Sequence, residues 1–397
     1  MENEQISKKQ HKAYKFRLYP NREQSISLVV QFGHARFVYN FFLAERKRVY
    51  KDTGKGLSYN ATAGLLKDLK SIVEFGWLKD ADSQVLQQAL MNLRDAYNRF
   101  FKKQNGYPKF KSRKSKQSIR YPQRFRFDGK HTYLPKVGWG KTKFHRQMEG
   151  TAKSITVSKT KTGKYFVSIL CEVEKPLPEY QGGELGVDVG LKHFAVTSDR
   201  ECFTSPKHLV NAEKRLRRVQ RSLSRRKKGS SGRERMRHKV ALLHEKIVNQ
   251  RSDFHHKIRK YLVETCGAVY LEDLNVKGMV KNRKLAKHIS DAGLSSFMTQ
   301  LAYKGEWYGC WVEIIDRFYP SSKTCSVCGY KNDDLTLKDR EWCCPDCGTH
   351  LNRDLNAAVN ILNEGWAGTA RNYANGESVS LAINSELFLV KSEAQGL

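Results

Sequence analysis

Apolar and polar positions alternate from Ala13 to Tyr19 (AYKFRLY), the period of a half-buried strand, and the run stops at Pro20. From Arg22 to about Tyr50 the period lengthens. Ile26, Val29, Val30, Phe37, Val38, Phe41 and Phe42 recur at helical spacing, which predicts a long amphipathic helix. A second helix is expected to start near Ser83 as its N-cap, with an apolar face of Val85, Leu86, Ala89, Leu90, Leu93, Tyr97 and Phe101. Such stripes are read first as core packing.

The pattern changes after Gly106-Tyr107-Pro108. RYPQRFRF, HTYLP, SITVSKT and KYFVSILCEVE read as short strands, with a hairpin turn at Lys159–Lys164. Strands on either side of a helical block imply a β-barrel or sandwich carrying a helical insertion. Pro176, Pro178 and Gly182-Gly183 mark a boundary. Beyond it, ELGVDVGLKHFAVTSD reads as two strands, and a helical stretch over about 208–264 is broken at KKGSSG. Then follow an apolar strand (GAVYLEDL), a helix over about 293–308, a strand (WVEIIDRF), a cysteine cluster and a last helix over about 355–363. After Gly365 the chain is rich in Gly, Ala, Asn and Ser, and is expected to be poorly ordered.

Length and charge narrow the partners. The 397 residues suffice for two or three domains, and 72 Lys and Arg against 40 Asp and Glu leave a net charge of +32. A field of that size repels itself unless a polyanion neutralises it, which points to nucleic acid. A membrane span is excluded, because no uninterrupted apolar run reaches roughly 18 to 20 residues. MENEQISKKQHKAYKF has no apolar signal-peptide core, so the expectation is an intracellular protein whose nine cysteines stay reduced.

Two segments carry the basic chemistry. Aromatic and cationic residues interleave around Tyr107, Phe110, Tyr121, Phe125 and Arg126, which offers Lys109, Lys111, Arg120 and Arg124 as phosphate contacts. Of the 26 residues from Lys214 to Lys239, thirteen are Lys or Arg and Glu234 is the one acid. A helical hairpin that dense in charge suits a phosphate backbone, through Arg217, Arg218, Arg221, Arg225 and Arg226.

Cys325-Ser-Val-Cys328 and Cys344-Pro-Asp-Cys347 are two CxxC pairs, each followed by a glycine, Gly329 and Gly348. Four thiolates complete a tetrahedral zinc shell with no open position, so this site reads as structural zinc. Cys343 and His350 are the competing ligands nearby. The acids are less distinctive. Asp188 lies in an otherwise apolar strand, Gly186-Val-Asp-Val-Gly190, where a buried carboxylate calls for a cation or several donors. Glu272 and Asp273 end the second apolar strand, where α/β sheets place their sites, and Asp354 begins the last helix. Three convergent carboxylates with hard oxygen ligands fit a two-Mg²⁺ centre for phosphodiester hydrolysis, and spacing leaves Glu272 and Asp273 as alternatives.

In order, GVDVGL, YLEDLNVKGM, FYPSSKTCSVCGY, WCCPDCG and NRDLNAAVNIL resemble the transposon-encoded TnpB proteins, compact relatives of type V CRISPR effectors. KAYKFRLYPNREQ, GHARFVYN, YPKFK, RSDFHHK and GTARNYANGES extend the resemblance over nearly the whole chain. It implies an α+β multidomain fold. Residues 1–21 and 105–180 would form a wedge-like β-barrel around a helical recognition insertion at 22–104. An RNase H-like (RuvC) α/β nuclease at 181–317 and 350–365 would carry an inserted zinc ribbon at 318–349, ahead of a disordered tail at 366–397. It also implies a guide RNA from the transposon end, a double-stranded DNA target with a short adjacent motif, and a cytoplasmic, nucleoid-associated prokaryotic protein. The catalytic magnesium ligands become Asp188, Glu272 and Asp354, and the zinc ligands Cys325, Cys328, Cys344 and Cys347. Asn352 departs from the family pattern, where many members carry an acid. The competing expectations are a nuclease-inactive RNA-guided regulator and an RNase H-like transposase.

Overall fold

The computed structural model describes residues 7–176, 182–336 and 338–374, and its contacts separate into two units at Pro176. In the first unit, β1 (Ser7–Tyr19) leads into α1 (Arg22–Thr53), α2 (Tyr59–Ser71), a 3₁₀ segment (Val73–Asp80) and α3 (Ser83–Phe101). Six further strands follow: β2 (Gln117–Tyr121), β3 (Arg126–Phe127), β4 (His131–Leu134), β5 (Gly138–Lys143), β6 (Thr151–Lys159) and β7 (Tyr165–Pro176). They join β1 in one antiparallel sheet of order β2-β6-β7-β1-β5-β4-β3.

Period-two alternation sets this sheet's register. Tyr14 lies opposite Ile169 and Phe16 opposite Val167, all four buried, so one face is apolar along both long strands. Leu28 and Phe32 of α1 and Val85 of α3 pack onto that face. The expected barrel is not closed, because no ladder joins the edge strands β2 and β3. Pro122, which has no N–H to give a ladder, and Arg124, at φ 61°, carry the chain between those edges, and α1 and α3 cover the face instead.

Three local expectations are corrected here. Asp82, not Ser83, caps α3: its carboxylate accepts from Gln84 N at 2.9 Å and Val85 N at 3.4 Å. The helical period of α1 is right but its first face is not. Ile26, Val29 and Val30 are exposed, while Leu28 and Phe32 face the sheet and Val38, Tyr39, Phe42 and Leu43 face a helical core with α2 and α3. Phe101, at the frayed end of α3, is also exposed.

The second unit has a mixed sheet of β8 (Glu184–Asp188), β9 (His193–Thr197), β10 (Cys202–Thr204), β11 (Ala268–Glu272) and β12 (Trp311–Ile315), in the order β10-β9-β8-β11-β12. β11 runs parallel to both β8 and β12. Between β10 and β11 stand the long helices α4 (His208–Ser224) and α5 (Ser231–Thr265), where Arg233 closes the tip by donating to Leu223 O and Arg226 O, both at 2.8 Å. α6 (Val276–Met279), α7 (Ala286–Ala292) and α8 (Leu294–Tyr308) follow β11. Asp291 of α7 caps α4, accepting from Leu209 N at 2.9 Å. RSDFHHK pins α5 to the same place: Arg251 donates to Ser290 O and His255 Nε2 to Ala292 O, both at 2.8 Å. Burial, then Arg259, pushes His255 down to about 4, against the bond to Ala292 O, which favours the protonated ring.

After β12 come the hairpin strands β13 (Glu341–Cys343) and β14 (His350–Asn352), then α9 (Arg353–Ala374). This helix is longer than the pattern indicated and crosses into the segment expected to be disordered. At Gly365 it passes against the Tyr270 ring, where a Cβ would stand 2.1 Å from Cδ1. Residues 375–397 lie outside the described residues. α9 seats equally closely on β8, since a Cβ at Gly186 would lie 2.1 Å from Ala358 O. Only glycine fits at that crossing, two residues before Asp188.

Candidate catalytic and metal centres

Parallel pairing aligns the C-terminal ends of β8 and β11, with Val187 opposite Leu271, so Asp188 and Glu272 emerge side by side. Asp354 arrives from the first turn of α9, which crosses both strands. Asp354 and Glu272 both lie close enough to Asp188 to oppose its ionisation. The Asp188 carboxyl is pushed up to about 7 by burial, then by Asp354 and by Glu272, against the pull of Arg353 and Arg340. Glu272 is raised by burial and then by Asp273, while a hydrogen bond with the Ser321 hydroxyl lowers it. Carboxylates are the hard oxygen donors that a divalent cation such as magnesium prefers.

Geometry also separates the two adjacent acids. Asp273 is ion-paired with Arg317, whose Nε also donates to Asp273 O at 3.2 Å. Glu272 makes no ion pair among the described residues and lies near Asp188, whose carboxyl it helps to raise. Asp354 meets Arg340 Nη1 at 3.1 Å. Sequence reasoning missed Arg340 and Ser321 altogether. It also missed Asn356 and Asn360, which donate to Thr324 O at 2.7 and 2.6 Å, while Asn356 Oδ1 accepts from Ser326 N at 2.9 Å. Two asparagines four apart on an otherwise apolar helix face were the available signal. Asn352, the departure from the family pattern, caps α9 through Oδ1 to Leu355 N at 3.2 Å.

The cysteines form two near-identical knuckles. Gly329 N–H donates to Cys325 O and Gly348 N–H to Cys344 O, both at 2.9 Å, and both glycines have positive φ. Cys325 N donates to Tyr330 O and Cys344 N to Thr349 O, which completes the symmetry. The ligand sulfurs of Cys325, Cys328, Cys344 and Cys347 all lie within 4.8 Å of one another. Cys325 and Cys347 are 3.7 Å apart and Cys328 and Cys344 3.6 Å, close to the edge of about 3.8 Å that a tetrahedron with zinc–sulfur bonds of about 2.3 Å requires. Cys347 is lowered to about 6, first by the Thr349 hydroxyl and then by the Thr349 backbone, which favours the thiolate. Cys343 turns away, its thiol donating to Gly348 O at 3.2 Å, and neither it nor His350 belongs to the cluster.

The basic residues fall into two classes. Lys109, Arg218, Arg221, Arg225 and Arg226 are exposed, as is Arg217 with an ion pair to Glu213 at 2.7 Å. The others have structural ties. The Lys111 ammonium stands 4.1 Å from the Tyr39 ring centre and is lowered by burial, Arg120 Nε donates to Ser154 Oγ at 3.2 Å, and Arg124 pairs with buried Asp82 at 2.7 Å.

Family descriptions match three stretches of the chain: "Probable transposase" at residues 168–283, "Cas12f1-like, TNB domain" at 295–361, and "Helix-turn-helix domain" at 10–55. Here the last of these is β1 followed by the single helix α1. A Streptomyces pristinaespiralis protein named "Putative RNA-guided DNA endonuclease" is 38% identical over 365 residues, covering 90% of each chain. An Escherichia coli K12 protein, "Putative RNA-guided DNA endonuclease InsQ", is 33% identical over 377 residues, 90% of this chain and 93% of that one. The chain belongs to the TnpB family. Among solved structures, the protein of a Cas12f1–sgRNA–target DNA complex superposes with a TM-score of 0.52 at 14% identity, over 90% of this chain and 99% of that chain. That likeness is one of fold, and it sets this TnpB member among mixed α/β proteins of Cas12f type. Among the described residues, no helix is long and apolar enough to cross a membrane.

Proposed function

We propose that this TnpB-family chain is an RNA-guided DNA endonuclease that hydrolyses phosphodiesters at a two-magnesium centre held by Asp188, Glu272 and Asp354. The observation that carries the reading is the convergence of these carboxylates from β8, β11 and α9, with buried Asp188 between the other two. In this reading the second unit is the RNase H-like (RuvC) nuclease with its inserted zinc ribbon, and the first is the wedge with its helical recognition insertion. When bound, magnesium supplies activation of the attacking water and neutralisation of charge on the leaving oxygen. The protein's own part is positional. The Ser321 hydroxyl orients Glu272, Arg340 steadies Asp354 from the ribbon side, and Asp188 gives up its proton as the cation is taken. Zinc at the four cysteines anchors the hairpin that returns the chain to Asp354.

The partners in this reading are a guide RNA from the transposon end and a double-stranded DNA target beside a short motif, in the prokaryotic cytoplasm at the nucleoid. The exposed arginines of the α4–α5 hairpin, together with Lys109, Lys111, Arg120 and Arg124, contact their phosphates. The test is to purify the chain with RNA from its own locus and rewrite the RNA's terminal segment. The cut should move to DNA matching the new segment, in magnesium and not in chelator. Heterogeneous host RNA and cutting indifferent to the guide would refute the reading.

A further inference from the structure

The loop from Asp316 to Ser321 leaves β12 beside the carboxylates, because Ile315 is paired with Glu272 across the parallel strands. It is anchored on both sides. Arg317 is tied to Asp273, immediately after Glu272, and the Ser321 hydroxyl bonds Glu272 itself. Ser321 O accepts from Asn360 Nδ2 of α9 at 2.8 Å. Inside the loop, Asp316 Oδ1 accepts from Phe318 N at 2.6 Å, and Tyr319 packs inward against Ile315 and Ile361. Between these fixed neighbours the Phe318 ring is 86% exposed. A lone exposed phenylalanine has little meaning on a flexible tip. This one sits on a loop held by the same elements that carry Glu272 and Asp354, so its backbone is placed before any partner arrives and less freedom is lost on contact.

An aromatic face beside acids that seat a phosphodiester suits a nucleobase, since every base offers a π-face whatever its identity. A base within duplex is already stacked on both sides, so the strand must be unpaired where it meets the ring. We propose that Phe318 is a positioning residue: its ring stacks on an unpaired base of the DNA strand at the acid cluster and seats the adjoining phosphodiester there. The inference rests on the nuclease reading above and deepens it.

The test uses the full chain loaded with its co-purifying RNA. Single-stranded DNA carrying 2-aminopurine at successive positions is titrated with Asp188→Ala and with Asp188→Ala/Phe318→Ala. The first should quench fluorescence at one or two adjacent positions, and the double variant should not. With Asp188 restored, Phe318→Ala should lower turnover by about 10- to 100-fold while KM stays within about threefold. Phe318→Trp should recover most of the rate. Phe318→Leu keeps apolar bulk without an aromatic face, so it should behave like the alanine variant. Quenching that survives in the double variant, or a Phe318→Leu turnover within about twofold of the parent, overturns the proposal. If the parent's cleavage does not depend on Asp188, the nuclease reading fails, and the quenching pattern still decides stacking by itself.

Discussion

The four thiols and the three carboxylates are two groupings in the same unit, yet they are built in opposite ways. The thiols sit in two short knuckles whose backbone hydrogen bonds place the sulfurs before any ion is considered, with paired sulfurs 3.6 and 3.7 Å apart. The carboxylates come from two strands and a helix and meet only when the sheet and α9 are assembled, where burial and the other two acids raise Asp188. One cluster is a local motif, and the other is a product of the assembled fold.

The largest effect expected from that contrast follows Cys325→Ser. Zinc-finger peptides draw about 10–16 kcal/mol of apparent binding free energy from the metal, so loss of one ligand should release zinc and unfold the ribbon. Metal analysis should show the zinc gone, proteolysis should open the segment around residues 325–347, and cleavage should fall with Asp354 no longer delivered. Zinc retained at full stoichiometry would mean that the cysteines are not its ligands.

Gly186→Ala comes next, because it disturbs the acid cluster through packing alone. Its Cβ would press on Ala358 O, at a cost of about 1–3 kcal/mol or more, lowering Tm by several degrees and displacing Asp354 from Asp188. Zinc content should be unchanged, which separates this variant from Cys325→Ser.

A smaller effect is pH-dependent and belongs to the carboxylates only. Asp188 is raised in the folded protein to about 7, so the stabilising contribution of its neutral form is complete below the ordinary carboxylate range and is lost as pH climbs through 7. Asp188→Asn stays neutral throughout. In metal-free protein it should therefore match the parent near pH 4 and exceed its Tm by a few degrees near pH 8, as scanning calorimetry would read. Magnesium should narrow that gap by stabilising the parent alone. Smallest of all, Asn352→Ala should cost about 1 kcal/mol by uncapping α9, and Asn352→Asp should restore it.

How much of this was legible in the chain follows the same division. The CxxC knuckles could be read directly, since spacing, glycines and ligand type are all local. The alternating runs of β1 and β7 and the apolar runs of β8 and β11 were equally plain. What the sequence pattern missed depended on tertiary partners. Asp82 rather than Ser83 caps α3 because its buried carboxylate also meets Arg124. Ile26, Val29 and Val30 continue the helical period yet face outward, because the sheet lies under Leu28 and Phe32. The open edges of the first sheet turn on Pro122 and on two helices that cover its apolar face. Spacing alone left Glu272 and Asp273 as alternatives; the family resemblance selected Glu272, and the structure adds that Arg317 pairs with Asp273. Ser321, Arg340, Asn356 and Asn360 carry ordinary side chains, and become informative only where the fold brings them to the acids.

The central claim is that Asp188 lies at the heart of a magnesium-dependent cutting site. It is tested most directly by comparing the parent with Asp188→Ala, each loaded with the locus RNA, on a plasmid bearing the matched target. Zinc content and target affinity should be equal in the two proteins. The parent should cut in magnesium, and the variant should be slower by about 10³-fold or more, the scale of losing transition-state charge stabilisation worth several kcal/mol. Equal cleavage by the two proteins would contradict the account.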